Sequence, residues 1–114
     1  MREWHVADGE LLLAGGAVAV DLPAGWAAEV SHQLTVARLL GPILAVRRSG
    51  LRWLFLAEPD AEPVRYVLPP GARCWTGPGS VPAGSSRWVV APRGRALPPL
   101  GAVRCAIRTV RRGY

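Results

Sequence analysis

The sequence predicts an α+β fold: a small mixed or antiparallel sheet of about six strands with one main amphipathic helix packed on it. Three observations point there. A strand-turn-strand pattern opens the chain, a single helix-length apolar stripe follows, and several apolar runs of strand length are separated by turn residues. The 114 residues amount to one domain, long enough to bury a core without disulfide or metal staples.

Glu10 to Leu13, Ala14-Gly15-Gly16 and Ala17 to Leu22 read as strand, turn and strand. Pro23-Ala24-Gly25 breaks the second strand, and proline suits a helix start. From Trp26 to Leu40, the apolar residues Trp26, Val30, Leu34, Ala37 and Leu40 form one helical face, which Gly41-Pro42 ends. Ile43 to Arg47 and Leu51 to Ala57, joined by Arg48-Ser49-Gly50, read as a hairpin. The second of these runs is apolar on both faces, so it should be a central strand covered on both sides. Val64 to Leu68 is a further expected strand. Residues 69–86, rich in Pro, Gly and Ser, read as an irregular loop. Arg87 to Ala91 and Ala102 to Val110 complete the expected strands, with residues 111–114 as a frayed tail. In the last strand, Val103, Cys105 and Ile107 would face inward and Arg104 and Arg108 outward.

All fourteen basic residues are arginine, and their distribution is uneven. Residues 1–62 hold all eight acids and five Arg, a net of −3; residues 63–114 hold nine Arg and no acid, a net of +9. Composition bias of the kind that removes Lys does not remove Asp and Glu from half a chain. The asymmetry points to an anionic partner for the second half. Arg104, Arg108, Arg111 and Arg112 gather near the C-terminus, Arg47, Arg48 and Arg52 at the hairpin turn, and Arg73 beside Trp75. Arginine with exposed aromatic rings is the equipment of single-stranded nucleic-acid surfaces. The sequence reading is therefore a non-catalytic interaction domain that binds an anionic partner, foremost nucleic acid. The alternative is a regulatory or structural module for an acidic protein.

Catalytic and metal patterns are missing from the sequence. There is no G-x-S-x-G, H-E-x-x-H or G-x-x-x-x-G-K-[ST]. Gly77-Pro78-Gly79-Ser80 lacks the lysine of a phosphate loop, and His5 and His32 read as surface or capping residues. Asp21, at a strand end, reads as a turn or cap acid and has no second acid beside it for a metal site. No cofactor and no metal are expected. Cys74 and Cys105 are too few for a disulfide framework and read as free, buried thiols. No apolar run has the ~18 residues a membrane span needs. Leu11 to Val20 is preceded by acids where a signal peptide carries positive charge, so a cytoplasmic protein is expected.

One resemblance runs through residues 10–100. The segments Ala17-Val18-Ala19-Val20-Asp21-Leu22-Pro23, Gly41-Pro42-Ile43-Leu44-Ala45, Arg52-Trp53-Leu54-Phe55-Leu56 and Val67-Leu68-Pro69-Pro70-Gly71, with Trp75-Thr76-Gly77-Pro78-Gly79 and Ser86-Arg87-Trp88-Val89-Val90-Ala91-Pro92, occur in an order that resembles a family of actinomycete proteins. That family is similar to the N-terminal domain of bifunctional primase–polymerases. The resemblance implies an α+β fold like the catalytic core of archaeo-eukaryotic primases. Those enzymes hold divalent metal with paired acids on one strand, where this chain has Asp21 and then Pro23. The resemblance thus implies a reduced, non-catalytic member.

Overall fold

The computed structural model describes residues 4–60 and 68–112. Among these, the apolar runs become β1 (Trp4–Ala7), β2 (Glu10–Leu13), β3 (Val18–Pro23), α1 (Ala24–Val36), β4 (Ile43–Arg47), β5 (Leu51–Ala57), β6 (Arg73–Thr76), β7 (Gly79–Pro82), β8 (Ser86–Val90) and α2 (Leu100–Arg112). The strands form two sheets, ordered β1-β2-β7 and β6-β3-β5-β4-β8, and every strand pairing is antiparallel. The fold class is α+β as the sequence predicts, with a second sheet and a second helix added.

Alternation across β5 explains how the layers stack. Phe55 and Ala57 enter a core shared with α1 and α2, while Leu54 and Leu56 enter another shared with Leu11, Leu13 and Val81 of the smaller sheet. The five-stranded sheet is thus the middle of three layers, with helices on one face and the three-stranded sheet on the other. A strand covered on both faces must be apolar at successive positions, which is what Leu54 to Ala57 show.

Helix α1 begins two residues before the expected start, directly after Pro23, and buries Ala27, Val30 and Leu34. It ends before Gly41-Pro42. Arg38 takes a left-handed φ of 61°, its N–H donates to the Thr35 carbonyl, and the Leu39 N–H donates to the Leu34 carbonyl at 2.9 Å. This is the paired bonding of a Schellman stop, in a position that favours glycine. Arg38→Gly should therefore raise stability by about 1 kcal/mol, the usual cost of a side chain there. Urea denaturation checks this, and a variant no more stable than the parent would contradict the assigned stop.

Three expectations need correction. The segment Ala102 to Val110 is part of helix α2, not a strand. Val103, Ala106, Ile107 and Val110 are its buried residues, spaced i, i+3, i+4, i+7. The first turn is satisfied from elsewhere in the chain: Leu100 N–H donates to the Glu58 carbonyl at 2.8 Å and Gly101 N–H to Asp60 Oδ1 at 3.0 Å. Arg111 and Arg112 form the last turn of this helix, where positive charge suits the carbonyl end, and are not a frayed tail. The irregular loop at 69–86 contains β6 and β7. Within it, Gly77 donates its N–H to the Ala17 carbonyl, and a Cβ there would overlap the Ala14 carbonyl. Of the expected strand at Val64 to Leu68, all but Leu68 lies outside the described residues.

Candidate nucleic-acid interface

Among the described residues, Asp21 organises the densest polar cluster. Register pairs Ala19 with Trp75 and Asp21 with Arg73, so these four side chains share the sheet face that looks toward the small sheet. Arg52 stands on the same face of β5, beside Leu54. Asp21 is fully buried. Its Oδ1 accepts from Arg52 Nε at 2.5 Å, and its Oδ2 accepts from Arg48 and from Trp75 Nε1, the latter at 3.0 Å. Arg48 also donates to the Pro82 carbonyl of β7 at 3.0 Å, and Arg52 donates to the Gly71 carbonyl. The Arg73 guanidinium lies 3.8 Å from the centre of the Trp75 ring. A buried carboxylate persists only when paired and hydrogen-bonded, and here two arginines and an indole meet that need.

Asp21 is therefore the centre of an internal network, not a turn or cap acid. Both its oxygens are engaged by arginine or tryptophan. Among the described residues no group of three or more His, Cys, Asp or Glu could hold a metal ion. Arg48 and Arg52 are drawn inward by this carboxylate, and the Trp75 ring that a base would stack on is covered by Arg73. The strand run Val18 to Leu22 carried a usable signal. Val18, Ala19, Val20 and Leu22 are apolar on both faces of the strand, which marks it as covered on both sides, so an acid within it is buried and must find cations.

The C-terminal arginines sit on α2, on the far side of the middle sheet from Asp21. Helical spacing places Arg104, Arg108, Arg111 and Arg112 away from the buried stripe. Arg108, Arg111 and Arg112 are exposed. Arg104 differs: its side chain is 13% exposed and its Nη1 is 2.9 Å from Asp60 Oδ2. The expected outward pair Arg104 and Arg108, about 13 Å apart on a strand, becomes a pair one turn apart on a helix, separated by about 6 Å of rise. Arg47 leaves the hairpin on the helix-bearing face, away from Arg48 and Arg52, since it continues the line of Ile43 and Ala45. The nine sequence-predicted residues thus divide into the Asp21 network (Arg48, Arg52, Arg73, Trp75), the α2 stripe, and Arg47.

Cys74 and Cys105 are free. Cys74 is half-buried, and burial pushes its thiol pKa up, which makes it a poor nucleophile at neutral pH. Cys105 is exposed, contrary to expectation, because the helix turns it off the buried stripe. His5 and His32 are both exposed. Among the described residues no helix is long and apolar enough to cross a membrane.

These elements define an α+β domain of helices, a five-stranded sheet and a three-stranded sheet, with an internal arginine–carboxylate network and a basic helix. The sequence matches no family model, and no curated protein or solved structure matches it.

Proposed function

We propose that this protein is a non-catalytic interaction domain that binds nucleic acid through the basic face of α2. The observation that carries the reading is the layout of that helix: Val103, Ala106, Ile107 and Val110 are buried, while Arg108, Arg111 and Arg112 stand exposed. The nine arginines and absence of acids in residues 63–114 leave little on that half to compete with phosphate. Exposed arginines three or four positions apart on a helix present charge every ~4.5–6 Å along its axis. Duplex nucleic acid offers a negative charge about every 1.7 Å, so each arginine can find a phosphate without base-specific contact.

Fluorescence anisotropy with labelled single- and double-stranded oligonucleotides across a salt series tests this. Each phosphate contact contributes about 0.9 to the slope of log K against log salt for duplex and about 0.7 for single strands. Arg108→Glu combined with Arg112→Glu should abolish binding at moderate salt while leaving the melting temperature within a few degrees of the parent, because both side chains are exposed. An absence of salt-dependent binding by the unmodified protein would remove this reading and leave an acidic protein as the partner.

A further inference from the structure

A second cationic site lies away from α2 and the Asp21 network. Arg87 of β8 pairs with Ala45 of β4, and Arg47 lies two residues further along β4. Arg47 and Arg87 are therefore diagonal neighbours on one face of an antiparallel pair, with Cβ atoms about 7 Å apart. Two long side chains at that separation can close on one small group. The face is the helix-bearing one, but α1 packs on β3 and β5 and α2 on β5, so this corner of the sheet is left uncovered.

A cavity of about 230 Å³ occupies the corner, and Arg47, Arg87, Ser85, Ser86 and Leu51 line it. No acid lines it. Among the described residues, none of these four polar side chains has an internal partner. This contrasts with Arg48 and Arg52, whose donors are consumed by Asp21 and by backbone carbonyls. Two unpaired guanidiniums and the Ser85 hydroxyl around one hollow suit an anion, while Ser86, opposite Val46, turns its side chain to the other face of the sheet and lines the hollow through its backbone. The hollow is smaller than the ~300–1,000 Å³ of sites for drug-sized ligands. A phosphate monoester carries a charge of about −1.5 to −2 at neutral pH and several acceptor oxygens. It matches two arginines in charge, and its oxygens suit their forked donors.

We infer that the Arg47–Arg87 pocket binds a phosphate monoester group, with Ser85 as a further donor and Leu51 as an apolar wall. The group can come from a small phosphorylated molecule or from the 5′-phosphate of a nucleic acid; only the second source rests on the reading proposed for α2.

The test is titration of the full chain with inorganic phosphate and with glycerol phosphate, followed through amide resonances by two-dimensional NMR. Saturable shifts should centre on Arg47, Ser85, Ser86 and Arg87. Arg47→Ala with Arg87→Ala should weaken binding about tenfold or more, as expected for losing charge-assisted hydrogen bonds. The Arg108→Glu and Arg112→Glu variant should bind phosphate as the parent does, which separates this site from α2. A parallel arm compares oligonucleotides of one sequence with and without a 5′-phosphate. Tighter binding of the phosphorylated form, lost in the Arg47 and Arg87 variant, assigns the group to a nucleic-acid end. Equal binding of the two, with saturation by glycerol phosphate, assigns it to a small ester. Non-saturable shifts, shifts reproduced by chloride at equal ionic strength, or shifts centred on another surface would overturn the proposal.

Discussion

Asp21→Ala is expected to lower stability by about 3–5 kcal/mol, because removing one member of a buried ion network leaves the others uncompensated. The carboxylate is fully buried and accepts from Arg48, Arg52 and Trp75. Without it, Arg48 and Arg52 would retain only their backbone acceptors, Pro82 and Gly71, together with the Asp21 main chain in the case of Arg52. Their side chains are 27% and 19% exposed, so water can restore only part of the lost hydration. The damage should spread between sheets. Arg48 joins β7 of the small sheet to Asp21 of the large one, so its release loosens the contact between layers. For a domain of this size the loss corresponds to a melting temperature lower by more than about 10 °C. Replacing the ionic members together by apolar residues of similar volume should cost less than Asp21→Ala alone, since it leaves no charge stranded. Thermal and urea unfolding of the single and combined variants measure both. A single variant within about 1 kcal/mol of the parent would show that the network does not hold the two sheets together.

Ala106→Asp is the second large effect, and it separates two readings of the same segment. On a strand, Ala106 would share the outward face with Arg104 and Arg108. On α2 it is 6% exposed and packs in the core beneath the helices. A charge placed there has no partner among the residues of that core, so it should cost several kcal/mol. Cys105→Ser reverses the comparison. On a strand it would put a hydroxyl into the core; on the helix the position is exposed and the change should stay within about 0.5 kcal/mol. Severe loss in the first variant and near-neutrality in the second is the signature of the helix. The opposite pair of results would restore the strand.

The segment misled because two periods fit it. Val103, Cys105 and Ile107 alternate as a strand does, while Val103, Ala106, Ile107 and Val110 repeat as a helix does. Local start signals were weak, since the first-turn N–H groups of α2 are met by Glu58 and Asp60, about forty residues upstream. A cap supplied across the fold leaves no trace beside the helix it caps. Strands β6 and β7 were hidden for a related reason. They are four residues each, set among Pro, Gly and Ser, and they exist because β3 and β2 offer edges to pair with.

Hydrophobic periodicity and turn residues alone determined β2, β3, α1, the β4–β5 hairpin and the central place of β5. In each of these, neighbours in sequence decide which face is apolar, and burial follows. The charge asymmetry was equally legible, because it depends only on where acids are missing. Tertiary structure decided which arginines are available to a partner. Arg48, Arg52 and Arg104 resemble Arg47, Arg108 and Arg112 in sequence, yet the first three are held by Asp21 or Asp60 and the last three are exposed. The physical reason is that a guanidinium's freedom depends on the nearest carboxylate in space, and these carboxylates arrive from 27 to 44 residues away.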